Sequence, residues 1–239
     1  MTKRPEKQEL KNSSIDHVTS VVKGAIGVVP FAGPLLAEIA GTLIPNQRID
    51  RLVKFSEELS HRLKDVEENK VRAYLTDENF TDAIEESLRL AARSTSDERR
   101  SYIANLLANG IDDDKIDFIE IKYLLRLLGE INDIEIIWLR SYMDPNLNSD
   151  EEFRKRHDDI LSPIAAHLGS TQEEIDQEAL QESYKNHLER LGLLRPKIKF
   201  NSKTKQPEFD KKDGFKKRGF EITPMGRLLL RYINAVDIT

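Results

Sequence analysis

Most of the chain repeats apolar residues at three- and four-residue spacing, and only a short stretch near the end alternates with strand period. The most apolar segment runs from Gly24 to Ile44, GAIGVVPFAGPLLAEIAGTLI, twenty-one residues with one charge, Glu38. A continuous helix of that length would cross a hydrocarbon core of about 30 Å. Pro30 and Pro34 break it, because each removes a backbone donor and disfavours helix in the residue before it. The pattern therefore predicts two short apolar helices, 14–29 and 34–44, folded about Pro30, Phe31, Gly33 and Pro34. Gly24, Gly27, Gly33 and Gly41 allow close helix approach, and Leu35, Leu36 and Ile39 supply the apolar bulk. A hairpin apolar nearly all round has to be buried, in protein or in lipid.

Amphipathic helices follow. Over 46–68, Ile49, Leu52, Val53, Leu59, Leu63 and Val66 form a stripe, with Arg51, Lys54, Glu57, Glu58 and Lys64 facing away, the shape needed to cover the hairpin. A second helix is predicted over 77–93, with Phe80, Ile84, Leu88 and Ala91 on one side. Ser96, Asp97 and Glu98 mark a third start, and Gly110 reads as its stop. A fourth covers 115–128, weakened at Gly129. Residues 1–12 are charged and read as a disordered tail, and 13–130 read as a helical bundle.

From Asn132 the texture changes. Helices are predicted over 133–143 and 172–191, the second with Ile175, Leu180, Tyr184, Leu188 and Leu191 inward and Gly192 as its stop. Residues 193–200 and 209–222 are strand-compatible, separated by the polar loop 201–208. Thr223 then caps a last helix with Pro224 at its first position, where a missing donor costs nothing.

Composition narrows the class. Charged residues at 33% and apolar ones at 38% of 239 residues describe a surface-rich protein with a real core, and aromatics at 7% favour helices over a β-sandwich. With no cysteine there is no disulfide framework or thiolate metal site, which fits a reducing cytoplasm. Pro30, Pro34 and Glu38 argue against reading the first apolar run as a secretory signal. The net charge of −5 hides an asymmetry: 185–231 holds fourteen Lys and Arg against five Asp and Glu, a balance of +9 that leaves −14 elsewhere. A basic end on an acidic body implies a partner for that end.

Two segments, His187-Leu188-Glu189-Arg190-Leu191-Gly192-Leu193-Leu194 and Ile222-Thr223-Pro224-Met225-Gly226-Arg227-Leu228-Leu229, resemble the winged helix-turn-helix superfamily. The first is similar to a recognition helix running into a wing, the second to the strand-to-helix step closing many such domains. The likeness covers about 132–233 and departs from the pattern at 157–170, where no tidy turn separates the helices. More weakly, SDERRSYIANLLANGI resembles a pattern in uncharacterised bacterial helical proteins of the abortive-infection type, over roughly 21–110.

Winged helices place the third helix in the major groove and the wing along phosphate. The resemblance implies base-reading candidates Gln181, Lys185, Asn186 and Arg190, with Lys197, Lys199, Lys203, Lys205, Lys211, Lys212, Lys216, Lys217 and Arg218 on or near the wing. Glu173, Glu174, Asp176, Glu178, Glu182 and Glu189 on the same helix would repel a phosphate backbone, so a protein-docking use stays open.

Catalytic motifs are missing from the sequence: no phosphate loop ending in Gly-Lys-Ser/Thr, no GxSxG elbow, no HExxH. Glu58 with His61 lacks the second such pair a carboxylate-bridged metal helix requires. His157, Asp158, Asp159 and His167 lack the further ligands of a metal phosphohydrolase, and Asp112, Asp113 and Asp114 read as a polar turn. The expectation is a mainly α protein, a helical bundle built round a Gly/Pro hairpin plus a winged-helix-like domain over 131–239 with a small β-hairpin. Its expected role is a non-enzymatic, cofactor-free, cytoplasmic bacterial binding protein engaging DNA or a protein partner, in the setting of antiviral (phage) defence. The alternative is a membrane-active effector that releases residues 24–44 into lipid on a trigger. Homo-oligomers are compatible with either.

Overall fold

The computed structural model describes residues 48–66, 68–143, 151–167, 169–211 and 214–235. The Gly/Pro hairpin (Gly24, Gly27, Pro30, Phe31, Gly33, Pro34, Leu35, Leu36, Ile39, Gly41), the N-terminal tail and Lys212 lie outside them. The described residues are mainly helical, with small two-stranded sheets toward the C-terminus. None of their helices is long and apolar enough to cross a membrane. The chain divides into two compact units. One runs to Gly129 and includes Tyr232–Ala235; the other spans Glu130–Arg231.

In the first unit, α1 (Ile49–Arg62) leads through a 3-10 turn at Leu63–Asp65 to α2 (Glu68–Tyr74), α3 (Glu78–Arg93), α4 (Asp97–Asp112) and α5 (Phe118–Glu130). The helix expected over 46–68 ends early: it tightens into the 3-10 turn and Val66 turns extended. Leu52, Leu59 and Leu63 of the expected stripe are buried, joined by Phe55, and α1 packs on α3 and α4. Asp77 caps α3 by accepting from the Asn79 and Phe80 N–H groups, and Ser96 caps α4 through the Arg99 N–H. α4 is buried on most of its surface, from Arg100 through Ile103, Leu106 and Leu107 to Ile111, which makes it the central helix.

Its polar residues are used inside the unit. Arg100 donates to the Ser94 carbonyl at 2.8 Å and pairs with Asp97. Asn105 and Asn109 donate to the carbonyls of Ile233 and Tyr232 at 2.9 and 2.8 Å, and the Tyr232 hydroxyl donates to Asp113 at 2.6 Å. This network fastens 232–235 to α4 and places them in the first unit rather than in the C-terminal domain expected from sequence. Gly110 and Gly129 do not end helices. Gly110 lies inside α4, where a Cβ would collide with Ile121, and Gly129 lies inside α5, where a Cβ would come within 2.9 Å of Leu90. Close packing, not termination, is what these two positions require.

The second unit consists of α6 (Asp133–Ser141), α7 (Glu151–Arg156), α8 (Asp158–Leu161), α9 (Gln172–Arg190), β1 (Leu194–Ile198), β2 (Phe209–Asp210), β3 (Gly214–Phe215), β4 (Lys217–Ile222) and α10 (Pro224–Tyr232). Capping boxes open α6 (Asn132 with Glu135) and α9 (Thr171 with Glu174). Gly192, at φ +71°, ends α9 as read from sequence. β1 pairs antiparallel with β4, Leu194 opposite Ile222, and β2 pairs with β3. The expected simple hairpin is divided: backbone bonds linking Lys199, Glu208 and Lys216 join the loop at 200–207 and the β2–β3 hairpin to the β1–β4 stem. Thr223 accepts from the Gly226 N–H to cap α10. A Cβ on Gly226 would collide with the Leu193 carbonyl, so this step admits no side chain.

Candidate nucleic-acid and ligand interface

The polar surfaces of the second unit are laid out by α6, α9 and the β-hairpins. α9 emerges only partly packed. Gln181 and Leu188 are buried, but Ile175 and Leu180, expected inward, are 42% and 53% exposed. A nineteen-residue helix is about 28 Å long, and α9 packs on α6 and β1, where the burial falls in its C-terminal half. The free half carries Glu173, Glu174 and Asp176 beside those two apolar residues.

The candidate base readers separate. Gln181 is spoken for: it donates to the Ile160 and Ser162 carbonyls at 3.3 and 2.9 Å and accepts from the Ile164 N–H, so it holds the α8–α9 connection. Lys185 places its Nζ 4.5 Å from the centre of the Trp138 ring. Burial pushes its ammonium below the ordinary lysine value, and Glu182 and Glu178 offset part of that. Asn186 and Arg190 are exposed. His187, which belongs to the winged-helix-like segment but was no site candidate, meets the buried Glu135 carboxylate at 2.6 Å, and the other Glu135 oxygen accepts the Asn132 N–H at 2.8 Å.

The hairpin cations fall into two groups. Lys199 pairs with Glu208 at 3.0 Å, Lys217 with Glu189 at 2.6 Å, and Lys197 with Glu221 at 3.6 Å. Lys203, Lys205, Lys211, Lys216 and Arg218 are exposed and make no ion pair among the described residues. Interleaved with them are Phe200, Phe209 and Phe215, 57%, 62% and 56% exposed, the last two in edge contact at 5.4 Å. Asn201 shapes the loop by accepting from the Lys203 and Thr204 N–H groups.

A groove of about 690 Å³ opens elsewhere in this unit, and most of its wall was not foreseen. Trp138, Tyr142 and Phe220 give it aromatic surface; Arg154, Lys185, Arg195, Lys197 and Arg227 give it charge. Glu221 on its wall accepts from Arg195 at 2.6 Å; this bond, and then the nearby Lys197, hold its carboxyl below the ordinary range. Burial raises the Tyr142 phenol. These residues come from elements far apart in sequence, so spacing carried no signal for the groove.

The acidic candidates have structural partners. Lys70 answers Asp114 at 2.9 Å and Asp112 at 3.8 Å. Glu58 accepts from Arg62 and from Ser101; partial burial raises its carboxyl, and these bonds more than offset it, leaving it below the ordinary glutamate range. The His157 ring lies 4.7 Å from Phe153, Asp158 accepts from Ser162, and His167 meets Ser170 at 3.0 Å. Among the described residues no three His, Asp or Glu gather as a metal site would require. No protein-family model matches the chain, nor does any curated protein or solved structure.

Proposed function

We propose that the second unit is a winged helix-turn-helix that binds DNA mainly through its wing. The observation that carries this reading is a set of exposed cations on one β-hairpin assembly, Lys203, Lys205, Lys211, Lys216 and Arg218, with no carboxylate partner among the described residues. The order of elements supports it: α6, the short α7 and α8, α9, then β1 and β4 with their loops, closed by α10. Interleaved Phe200, Phe209 and Phe215 offer faces for bases or sugars next to phosphate-binding lysines. α9 contributes little readout, since Gln181 is internally bonded and the free half is acidic. Binding is therefore backbone-led and weakly sequence-specific. The resemblance of the N-terminal half favours bacterial antiviral defence as the setting.

The test is affinity of the intact chain for mixed duplex and single-stranded oligonucleotides against salt. Log affinity should fall linearly with log salt. Replacing Lys203, Lys205, Lys211 and Lys216 by Ser should flatten the slope by about 0.9 for each duplex phosphate no longer neutralised. No binding at low salt rejects the reading. The exposed Ile175 and Leu180 amid acids on α9 favour a second one, docking of a basic protein partner on that helix, which Leu180→Lys would abolish.

A further inference from the structure

We propose that the groove between α6, the β1–β4 sheet and the start of α10 is a binding site for a nucleoside phosphate, distinct from the exposed cations Lys203, Lys205, Lys211, Lys216 and Arg218. Its size lies within the range of about 300–1,000 Å³ common to ligand pockets. The charge on its wall is lopsided. Glu221, the carboxylate among the lining residues, is shared by Arg195 and Lys197. Lys185, Arg154 and Arg227 make no ion pair among the described residues. Arg154 and Arg227 each give one N–H to a backbone carbonyl, those of Ser141 and Met143, which orients the guanidinium and leaves further donors for an anion.

The second observation is an orphan donor. Trp138 lines the groove at 6% exposure, and its buried indole N–H finds no acceptor among the described residues. A buried donor without a partner is costly enough that such groups are rare in native proteins. A ligand bearing negative charge answers the cations; for one of its acceptors to meet the indole as well, the wall around Trp138 has to open as the ligand binds. The aromatic surface narrows the class further: the half-buried Tyr142 and Phe220, in edge contact at 6.5 Å, suit a flat base beside the buried Trp138. An acidic peptide would use the cations and leave that surface idle.

Trp138 is the one tryptophan of the chain, so its fluorescence reports the site directly. The intact protein is titrated with AMP, GMP, CMP and UMP, with the matching nucleosides, and with inorganic phosphate, calorimetry being run alongside. The expected result is saturable binding of at least one nucleotide with Kd below about 1 mM, and at least about tenfold weaker binding of its nucleoside and of phosphate. Replacing the exposed pair Arg195→Gln and Arg227→Gln should weaken the nucleotide about tenfold or more, with the helical circular dichroism retained. The Lys203→Ser and Lys205→Ser variant should bind it unchanged. Failure of all four nucleotides by both methods, phosphate binding as tight as the nucleotide, or wild-type affinity in the Arg195/Arg227 variant would each overturn the proposal. None of these outcomes depends on DNA binding by the wing.

Discussion

The two units spend their apolar and charged residues differently. In the first, Phe55, Phe80, Leu59, Ile84, Ile103, Leu106 and Leu107 are all fully buried, Ile119 and Tyr123 being the large apolar side chains left exposed among the described residues, and the acids meet bases nearby, as Lys70 meets Asp114 and Lys122 meets Asp82 at 2.7 Å. In the second, Phe200, Phe209, Phe215, Ile175 and Leu180 are exposed, and several cations have no carboxylate partner among the described residues. Burying a large apolar side chain is worth roughly 1.5–3 kcal/mol, so a fold that leaves five of them in water forgoes stability there. Scattered exposed apolar residues need no explanation; three phenylalanines on one lysine-rich hairpin assembly do. The contrast accords with the proposed division, scaffold duty in the first unit and recognition in the second.

The largest effect expected is in the scaffold. Phe80→Ala removes a fully buried ring that touches Tyr74 and Phe118, at 6.1 and 5.1 Å, and should cost about 3–5 kcal/mol. Helix content followed by far-ultraviolet circular dichroism in urea would show it. Trp138 belongs to the second unit, so its fluorescence transition should move less; an equal shift would break the comparison. Next comes Gly226→Ala, where a Cβ meets the Leu193 carbonyl and lies 2.8 Å from Ile222. Overpacking of that kind costs about 1–3 kcal/mol, and here the Trp138 transition should move first. His187→Ala strips the buried Glu135 carboxylate of a partner and should cost about 1–3 kcal/mol in the same transition, with His187→Gln recovering part of it.

Acid sharpens the contrast more gently. The Glu58 carboxyl lies below the ordinary glutamate range in the folded first unit because the Arg62 and Ser101 bonds outweigh the opposing effect of burial. Its contribution is therefore present above the ordinary glutamate range and drains as the pH falls through the lowered folded value. Glu58→Gln should flatten that acid limb of the helix-detected stability curve while leaving stability near neutrality only slightly reduced. An unchanged acid limb would remove Glu58 from the account. The smallest effect on stability belongs to the exposed lysines of the hairpin assembly. Lys203, Lys205, Lys211 and Lys216 replaced by Ser should leave both transitions within about 0.5 kcal/mol, since they are exposed and make no ion pair among the described residues. A larger loss would mean that they hold the fold together, and the division of labour would fail.

Periodicity and capping were enough to locate most helices from sequence, because both act over a few residues. The Leu52, Leu59 and Leu63 stripe, the Ser96 and Thr223 caps, the Gly192 stop and the mainly helical character with a small C-terminal sheet are all local facts of this kind. What sequence could not distinguish was a glycine that ends a helix from one that lets two helices meet. Gly110 and Gly192 look alike in the chain; only Ile121, brought against the first by packing, and a φ of +71° at the second separate them. The same limit explains Gln181, polar and plausible as a base reader until the chain around Ile160 and Ser162 folds back on it. It explains the groove as well. Trp138, Arg154, Lys185, Phe220 and Arg227 are spread along the chain with no common spacing, and a cation becomes part of a site only when tertiary folding decides which carboxylates are too far away to neutralise it.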